Sequence, residues 1–272
     1  MSWLSLLFGA IVGLSLGLTG GGGAIFAVPL LVYGLGLDAR AAVAVSIAAV
    51  GTTSLAGFLH RRHLGEVEVR VGLLFAVAGM IGAPVGTWIA NGIPETILLL
   101  AFSGLIVIVA LRLWHQASRS VVHEAAAMAS VEEPGPTCRR DAAGGLVLNS
   151  RCARLLIVVG LLTGVLSGMF GVGGGFIIVP ALVIFSGMSM QRAIGTSMMV
   201  ITLVSASGVA SRLWAGSVID PKVTSLFTVG SLGGLFVGQR IGRRLSVITL
   251  QKVFVVAMLV VAVFVIARNL GR

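Results

Sequence analysis

The chain has 272 residues, of which 57% are hydrophobic and only 10% charged, and its mean hydropathy is +1.08. Soluble domains carry about 25% charged residues, so the composition excludes a water-soluble globular domain and points to an integral membrane protein. The net charge of +10 would suggest nucleic acid in a soluble protein. Here the basic residues fall almost entirely between hydrophobic segments, where they set topology, and no nucleic-acid partner is expected.

In chain order, apolar runs cover Ser2–Leu18, Ala24–Leu37, Ala41–Leu59, Val71–Ala90 and Thr96–Leu113. The first 37 residues carry no ionised side chain, so the basic flank of a cleavable signal is missing and the first run reads as retained. A polar stretch from Trp114 to Arg154 lacks a sustained apolar period and reads as a linker. The pattern then recurs at Leu155–Phe170, Phe176–Gly187, Ala193–Ser211, Val223–Gln239 and Val247–Ala267. The predicted organisation is a first membrane repeat (1–114), a cytoplasmic linker (115–154) and a second membrane repeat (155–272). Cys138 and Cys152 lie in the linker at a spacing that matches no zinc or redox pair, and read as free thiols in a reducing compartment.

An offset of 151 makes the repeat explicit. Gly9, Gly13 and Gly17 fall on Gly160, Gly164 and Gly168, Pro29 on Pro180, Ser46 on Ser197 and Arg61 on Arg212. Of the 18 glycines between residues 9 and 104, 11 meet a glycine, which establishes a duplication. Five apolar runs per half is an odd number and predicts halves of opposite orientation. The arginines agree: the Arg61–Arg70 and Arg112–Arg154 connections are basic and Asn91–Glu95 is not, whereas in the second half the cluster shifts to Arg240, Arg243 and Arg244. The positive-inside rule then puts 13 Lys/Arg inside and five outside, with Lys252 left within the last run. Both termini face out. The expected fold is an all-α polytopic membrane protein of two inverted repeats and eight to ten hydrophobic segments, with a short Gly-broken helix pair opening each repeat.

The breaks are two glycine tracts, Gly20–Gly23 and Gly171–Gly175. The segments flanking them are about 16 and 12–14 residues, roughly 24 and 20 Å as helix, short of the ~30 Å hydrocarbon core. Short, Gly-interrupted segments at matching places in two halves point to a transporter binding site. The helices beginning near Ala24 and Phe176 offer unpaired amides and a positive dipole end, which suit an anion. The candidate substrate-binding residues are Gly20, Gly21, Gly22, Gly23, Gly171, Gly173, Gly174 and Gly175. Hydroxyls on the following helices could add donors: Ser46, Thr52 and Thr53 in one half, Thr196, Ser197, Thr202 and Ser205 in the other, with the paired Ser46/Ser197 foremost. Pro29 and Pro180 mark the kink or end of each short helix. Two alternatives stay open: each tract could be a simple hairpin between two full crossings, and the Gly9/Gly13/Gly17 and Gly160/Gly164/Gly168 stripes read as packing seams.

Other motifs carry little. Gly13-Leu-Ser15-Leu-Gly17 matches a nucleophile elbow, but no His or Asp stands in the membrane to activate Ser15, so no enzyme is expected. His60 and His63 read as a solvated interfacial cluster, and no metal is expected. Neither tract is followed by Lys-Ser/Thr, so no nucleotide or other cofactor is implied.

Two copies of Gly-x-Gly-Gly-Gly/Ala-Phe/Ile…Pro, each followed by a small-residue helix carrying Ser46 or Gly195-Thr-Ser197, resemble the sulfite exporter TauE/SafE family. The resemblance covers roughly residues 5–112 and 153–268. Gly171-Val-Gly-Gly-Gly-Phe176 is typical, whereas the first copy has Gly21 and Ala24 and lacks the Gly-Thr-Ser triplet. The family is usually counted as eight membrane segments, each broken pair taken as one. The resemblance implies a secondary transporter of sulfite, sulfoacetate or related organosulfonates in a bacterial inner membrane. The expected partners are a small anionic substrate and the lipid bilayer, with a homo-oligomer left open. The alternatives are an accessory or assembly protein acting through the 115–154 linker, and a transporter of a non-sulfur carboxylate.

Overall fold

A computed structural model describes residues 2–126, 150–216, 220–242, 255, 256 and 258–265. The helices are α1 (Ser2–Thr19), α2 (Gly22–Gly34), α3 (Ala39–His63), α4 (Val69–Gly92), α5 (Glu95–Ala126), α6 (Ser150–Phe170), α7 (Gly175–Ser186), α8 (Met190–Trp214) and α9 (Pro221–Gly242). Residues 255, 256 and 258–265 are also helical, and no strand occurs among the described residues. Among the described residues the fold is all-α, and four helices are long and apolar enough to cross a membrane: α3, α4, α8 and the Cys152–Phe170 part of α6.

Local chemistry sets several boundaries. The Asp38 side chain accepts from the Ala41 amide at 3.0 Å and caps α3, whose last turn, His60 to His63, is basic and complements the helix dipole. Pro221 opens α9 behind Asp220, which accepts from the Lys222 amide at 2.8 Å. Helices α3 and α8 each stop beside a glycine of positive φ, Gly65 and Gly216, which are repeat equivalents (65 + 151 = 216).

Helices outrun the apolar runs at both ends of the expected linker: α5 continues to Ala126 and α6 starts at Ser150. Hydropathy reports the span matched to lipid, whereas helix propensity carries α5 on through Gln, Ala, Ser and Glu. Cys152 is disulfide-bonded, which corrects the free thiol expected there. Cys138 and Lys252 lie outside the described residues.

Packing exchanges the two halves. Helix α1 lies along α9 and α6 along α4, so the first helix of each half seats on the fourth helix of the other. Glycines make both seams. A Cβ at Gly9, Gly13 or Gly17 would overlap the carbonyl of Phe227, Ser231 or Leu235, and one at Gly164 or Gly168 that of Gly79 or Ala83. Backbones approach this closely only where side chains are absent. Residue numbers rise together along both seams, so each pair is parallel.

At the centre, α3 crosses α8. Their apolar windows are each 67% buried, against 39% for α6. Gly51 meets Ser205, Gly57 meets Met198 and Gly208 meets Ile47, so one helix's numbers rise as the other's fall and the pair is antiparallel. The exterior carries Leu7, Ile81, Ile108, Leu162 and Val260, a lipid-facing surface. Trp3, Trp88 and Trp214 are 78–95% exposed and sit near helix ends at one end of the bundle, where indole rings favour the membrane interface.

Candidate functional site

The glycine tracts end α1 and α6 and turn into the bundle. All of residues 20–23 and 171–175 are buried. The tracts touch: a Cβ on Gly21 would lie 2.6 Å from the Gly175 Cα, leaving no room for any side chain. Val50 and Ile201 flank the contact, within 3.2 and 3.0 Å of a Cβ on Gly173. Each is the twelfth residue of its 25-residue helix, so the tracts meet at mid-length of the central crossing.

Ser46 and Ser197 hold the tracts in place. The Ser46 hydroxyl donates to the Gly171 carbonyl at 2.6 Å, and the Ser197 hydroxyl to the Gly20 carbonyl at 2.6 Å. The bonds are crossed, each serine gripping the tract of the other half. The protons of both hydroxyls are thereby taken by backbone, with Ser197 also 2.8 Å from the Ile194 carbonyl. Both serines anchor the tract entrances. Thr196, one residue from Ser197 and about 100° round the helix, points elsewhere and accepts from the Glu68 amide of the α3–α4 connection at 3.0 Å.

Beyond the anchors the amides are open. Gly171, Gly173 and Gly174 hold φ of 72°, 66° and 69°, which side-chain-bearing residues rarely adopt. Past Gly171, whose amide still donates to the Ser167 carbonyl at 2.9 Å, this left-handed path takes the N–H groups of Gly173 and Gly174 out of the helical ladder. Among the described residues the amides of Gly21, Val172, Gly173 and Gly174 reach no hydrogen-bond acceptor. Buried backbone donors are nearly always paired, so four open amides around one contact form an acceptor-seeking centre. Pro29 ends a single α-turn between a 3₁₀ turn (Gly22–Phe26) and a π turn (Leu30–Gly34). Pro180 lies inside the regular α7.

The remaining hydroxyls divide sharply. Thr53 and Thr202 bond back to the Ala49 and Met198 carbonyls at 2.7 and 2.8 Å, and Thr52 to those of Ala48 and Ala49. Ser54 and Ser205 do not. Both are buried, and neither hydroxyl has a partner. Ser205 was among the sequence candidates and Ser54 was not, although they are repeat equivalents (54 + 151 = 205).

A cation was missed entirely. Arg212 reads in sequence as a loop residue just past an apolar run, yet it lies within α8 and is 1% exposed. It donates to the Gly168 carbonyl at 2.7 Å, three residues before tract two, and its Nε has no partner. Its repeat equivalent, Arg61, is paired with Glu66 at 2.7 Å. Beside tract two, a small cleft lined by Val28, Val43, Leu98, Phe102 and Phe170 is apolar and offers an anion no donor.

The family described as sulfite exporter TauE/SafE matches residues 5–265. A "probable membrane transporter protein" of Xylella fastidiosa (strain 9a5c) is 32% identical over 267 residues, covering 96% of this chain and 93% of the relative. A "probable membrane transporter protein YdhB" of Bacillus subtilis (strain 168) is 25% identical over 241 residues, covering 87% and 89%. These relatives are named as transporters, not enzymes. No solved structure matches. The chain belongs to the sulfite exporter TauE/SafE family of membrane transporters.

Proposed function

We propose that this protein is a secondary transporter built from two inverted repeats, carrying a small sulfur-containing oxyanion (sulfite, sulfoacetate or a related organosulfonate) across a bacterial inner membrane by alternating access. The observation that carries the reading is the meeting of two buried glycine tracts, with four open amides, at mid-length of the central crossing. Irregular backbone at membrane depth is stable only where protein buries it or it lines a cavity. Buried amides without an acceptor favour an anion.

Inversion is supported by α3 and α8, repeat equivalents that run antiparallel. A two-fold relating them lies perpendicular to their length, hence in the membrane plane if both span. Packing also gathers the C-terminal end of α3, the N-terminal ends of α4, α6 and α8 and the C-terminal end of α9 at one end of the bundle. Arg61, Arg192 and Arg240 are there, and we place that end, with the linker, in the cytoplasm and both termini outside. The Cys152 disulfide pulls the other way, since disulfides belong to oxidising compartments, but the arginine asymmetry spans the whole chain and outweighs one bond. A cysteine placed at the half-exposed Leu64 should react with a membrane-impermeant maleimide only after permeabilisation.

The substrate reading is tested by thermal unfolding of the purified protein with sulfite, thiosulfate, sulfoacetate and acetate, together with flux in proteoliposomes. Stabilisation and flux with the sulfur oxyanions, and none with acetate, are expected. Preference for acetate would move the assignment to carboxylates, and no response to any of the four would end the anion-site reading.

A further inference from the structure

Ser54 and Ser205 have no structural account of their own. They are 0% and 1% exposed, and neither hydroxyl has a partner, whereas Thr53 and Thr202 on the same two helices bond back to the preceding turn. A buried hydroxyl without a partner is destabilising relative to the alanine that would fill the same space, yet it stands at both equivalent positions of the repeat. Ser205 is wedged between the central crossing and tract two. Its hydroxyl lies 3.4 Å from where a Cβ on Gly51 would sit and 4.0 Å from where one on Gly173 would sit.

Arg212 extends this line. It follows Ser205 by seven residues, two turns along one face of α8 and about 10 Å away. A guanidinium only donates, and a hydroxyl donates readily, so the line from Ser54 through Ser205 to Arg212 offers donors and no carboxylate. A second cation, Arg40, opens α3 at the same end of the crossing and donates to the Asn91 carbonyl at 3.2 Å. At the opposite end of the crossing the equivalent arginine is neutralised by Glu66, and Arg192 lies 3.6 Å from Glu68. Arg61 is thus ion-paired, whereas among the described residues Arg212 is held by a backbone carbonyl and pairs with no carboxylate.

We propose that Ser54, Ser205 and Arg212 form a donor line along the α3–α8 crossing that coordinates the oxyanion at the glycine tracts and passes it to and from the Arg212 end. This rests on the reading of the tracts as an anion site and names the side chains that complete it. An oxyanion with two or more free oxygens bridges a tract amide and a serine hydroxyl at once. A cation is repelled at Arg212, and a neutral solute gains nothing there.

The test uses the full-length protein, its thermal midpoint with and without sulfite, and radiolabelled sulfite flux in proteoliposomes. The Ser54→Ala/Ser205→Ala variant should keep or raise the midpoint without anion, because it removes hydroxyls that have no partner. Its apparent sulfite affinity should fall tenfold or more. Arg212→Gln should lower sulfite flux at least tenfold, Arg212→Lys should retain part of it, and Arg61→Gln should leave it within twofold. A double variant with a lowered midpoint and unchanged sulfite affinity would make the serines structural and overturn the proposal. So would wild-type flux in Arg212→Gln. If the wild-type protein responds to sulfite and the variants respond equally, only the donor line fails. If the wild type responds to none of sulfite, thiosulfate, sulfoacetate and acetate, the tract reading fails and the donor line falls with it.

Discussion

The two glycine tracts begin alike and then diverge. Each entrance carbonyl, Gly20 or Gly171, is gripped by a serine of the opposite half at the same 2.6 Å. Past that point tract one turns at Gly20 and Gly21 alone, whereas tract two takes positive φ at Gly171, Gly173 and Gly174. Tract one then feeds the irregular α2, with its 3₁₀ and π turns, and tract two feeds the regular α7. The depth differs as well. Gly23 folds back against Ser15 and Leu16, but its equivalent Gly174 lies against Thr163, which corresponds to residue 12 (163 − 151 = 12). That is about one helical turn, ~5 Å. Symmetric anchors with unlike continuations mean that the serine–carbonyl bonds are fixed points and the short helices are the parts free to differ. The two copies of one repeat therefore stand in two different local conformations.

The largest effect expected is at the seams, which ought to be insensitive to this divergence. Gly13→Leu would drive a side chain into the Ser231 carbonyl, and Gly164→Leu into that of Gly79. Overlap with backbone cannot relax through a rotamer, and a cost above about 3 kcal/mol is expected at each site. Neither variant should yield a monodisperse peak on size-exclusion chromatography. If one folds and the other does not, the halves differ in their scaffold too, and the contrast between fixed frame and variable tracts is lost.

Next in size is the difference between the two equivalent arginines, Arg61 ion-paired and Arg212 held by a backbone carbonyl. Arg212→Gln removes a buried, charge-assisted bond to Gly168, which is worth roughly 1.5–3 kcal/mol of stability, and with it the cation of the donor line, so a lowered thermal midpoint should accompany the loss of sulfite flux. Arg61→Gln breaks a partly exposed pair with Glu66, whose side chains are 12% and 24% exposed. Screening by solvent limits that loss to less than about 1 kcal/mol, read as a small drop in thermal midpoint. Equal flux defects in the two variants would show that the carbonyl-held and the ion-paired arginine do the same job.

Much of the frame is legible in the sequence because it is written in glycine spacing. The offset of 151, the two four-residue stripes and the paired tracts need no knowledge of tertiary partners, and the helices follow the apolar runs to within a few residues over most of the chain. What sequence could not supply is which polar group finds a partner. Ser46 and Ser54 are both hydroxyls on one small-residue helix, eight residues apart. Only the arrival of the Gly171 carbonyl, 125 residues away in the chain, makes the first an anchor and leaves the second open. Arg212 was misplaced for a similar reason. The apolar run stops at Ser211, but the helix continues to Trp214, and the long arginine stem reaches back to the Gly168 carbonyl. Hydropathy locates lipid contact and is blind to a cation that turns inward. Thr196 shows the converse, since its place beside Ser197 in the chain says nothing of a side chain that faces the α3–α4 connection.

The smallest effect, and the most direct probe of the fixed points, is loss of one serine anchor. Ser46→Ala leaves the buried Gly171 carbonyl without its donor, and Ser197→Ala does the same to Gly20. Each should lower stability by about 1–2 kcal/mol, measured as a thermal midpoint in detergent. Because the two bonds have the same length and equivalent positions, the two losses should match within experimental error, although the tracts beyond them differ. The consequences for transport should not match. Gly171 is the first of the three left-handed glycines of tract two, where one misplaced carbonyl shifts several amides, whereas Gly20 leads into a tract already folded back on α1. Sulfite affinity should therefore fall further in Ser46→Ala than in Ser197→Ala. Equal stability loss with unequal affinity loss separates anchor from binding surface. Unequal stability loss would instead place the divergence at the anchors themselves, one residue earlier than the backbone angles put it.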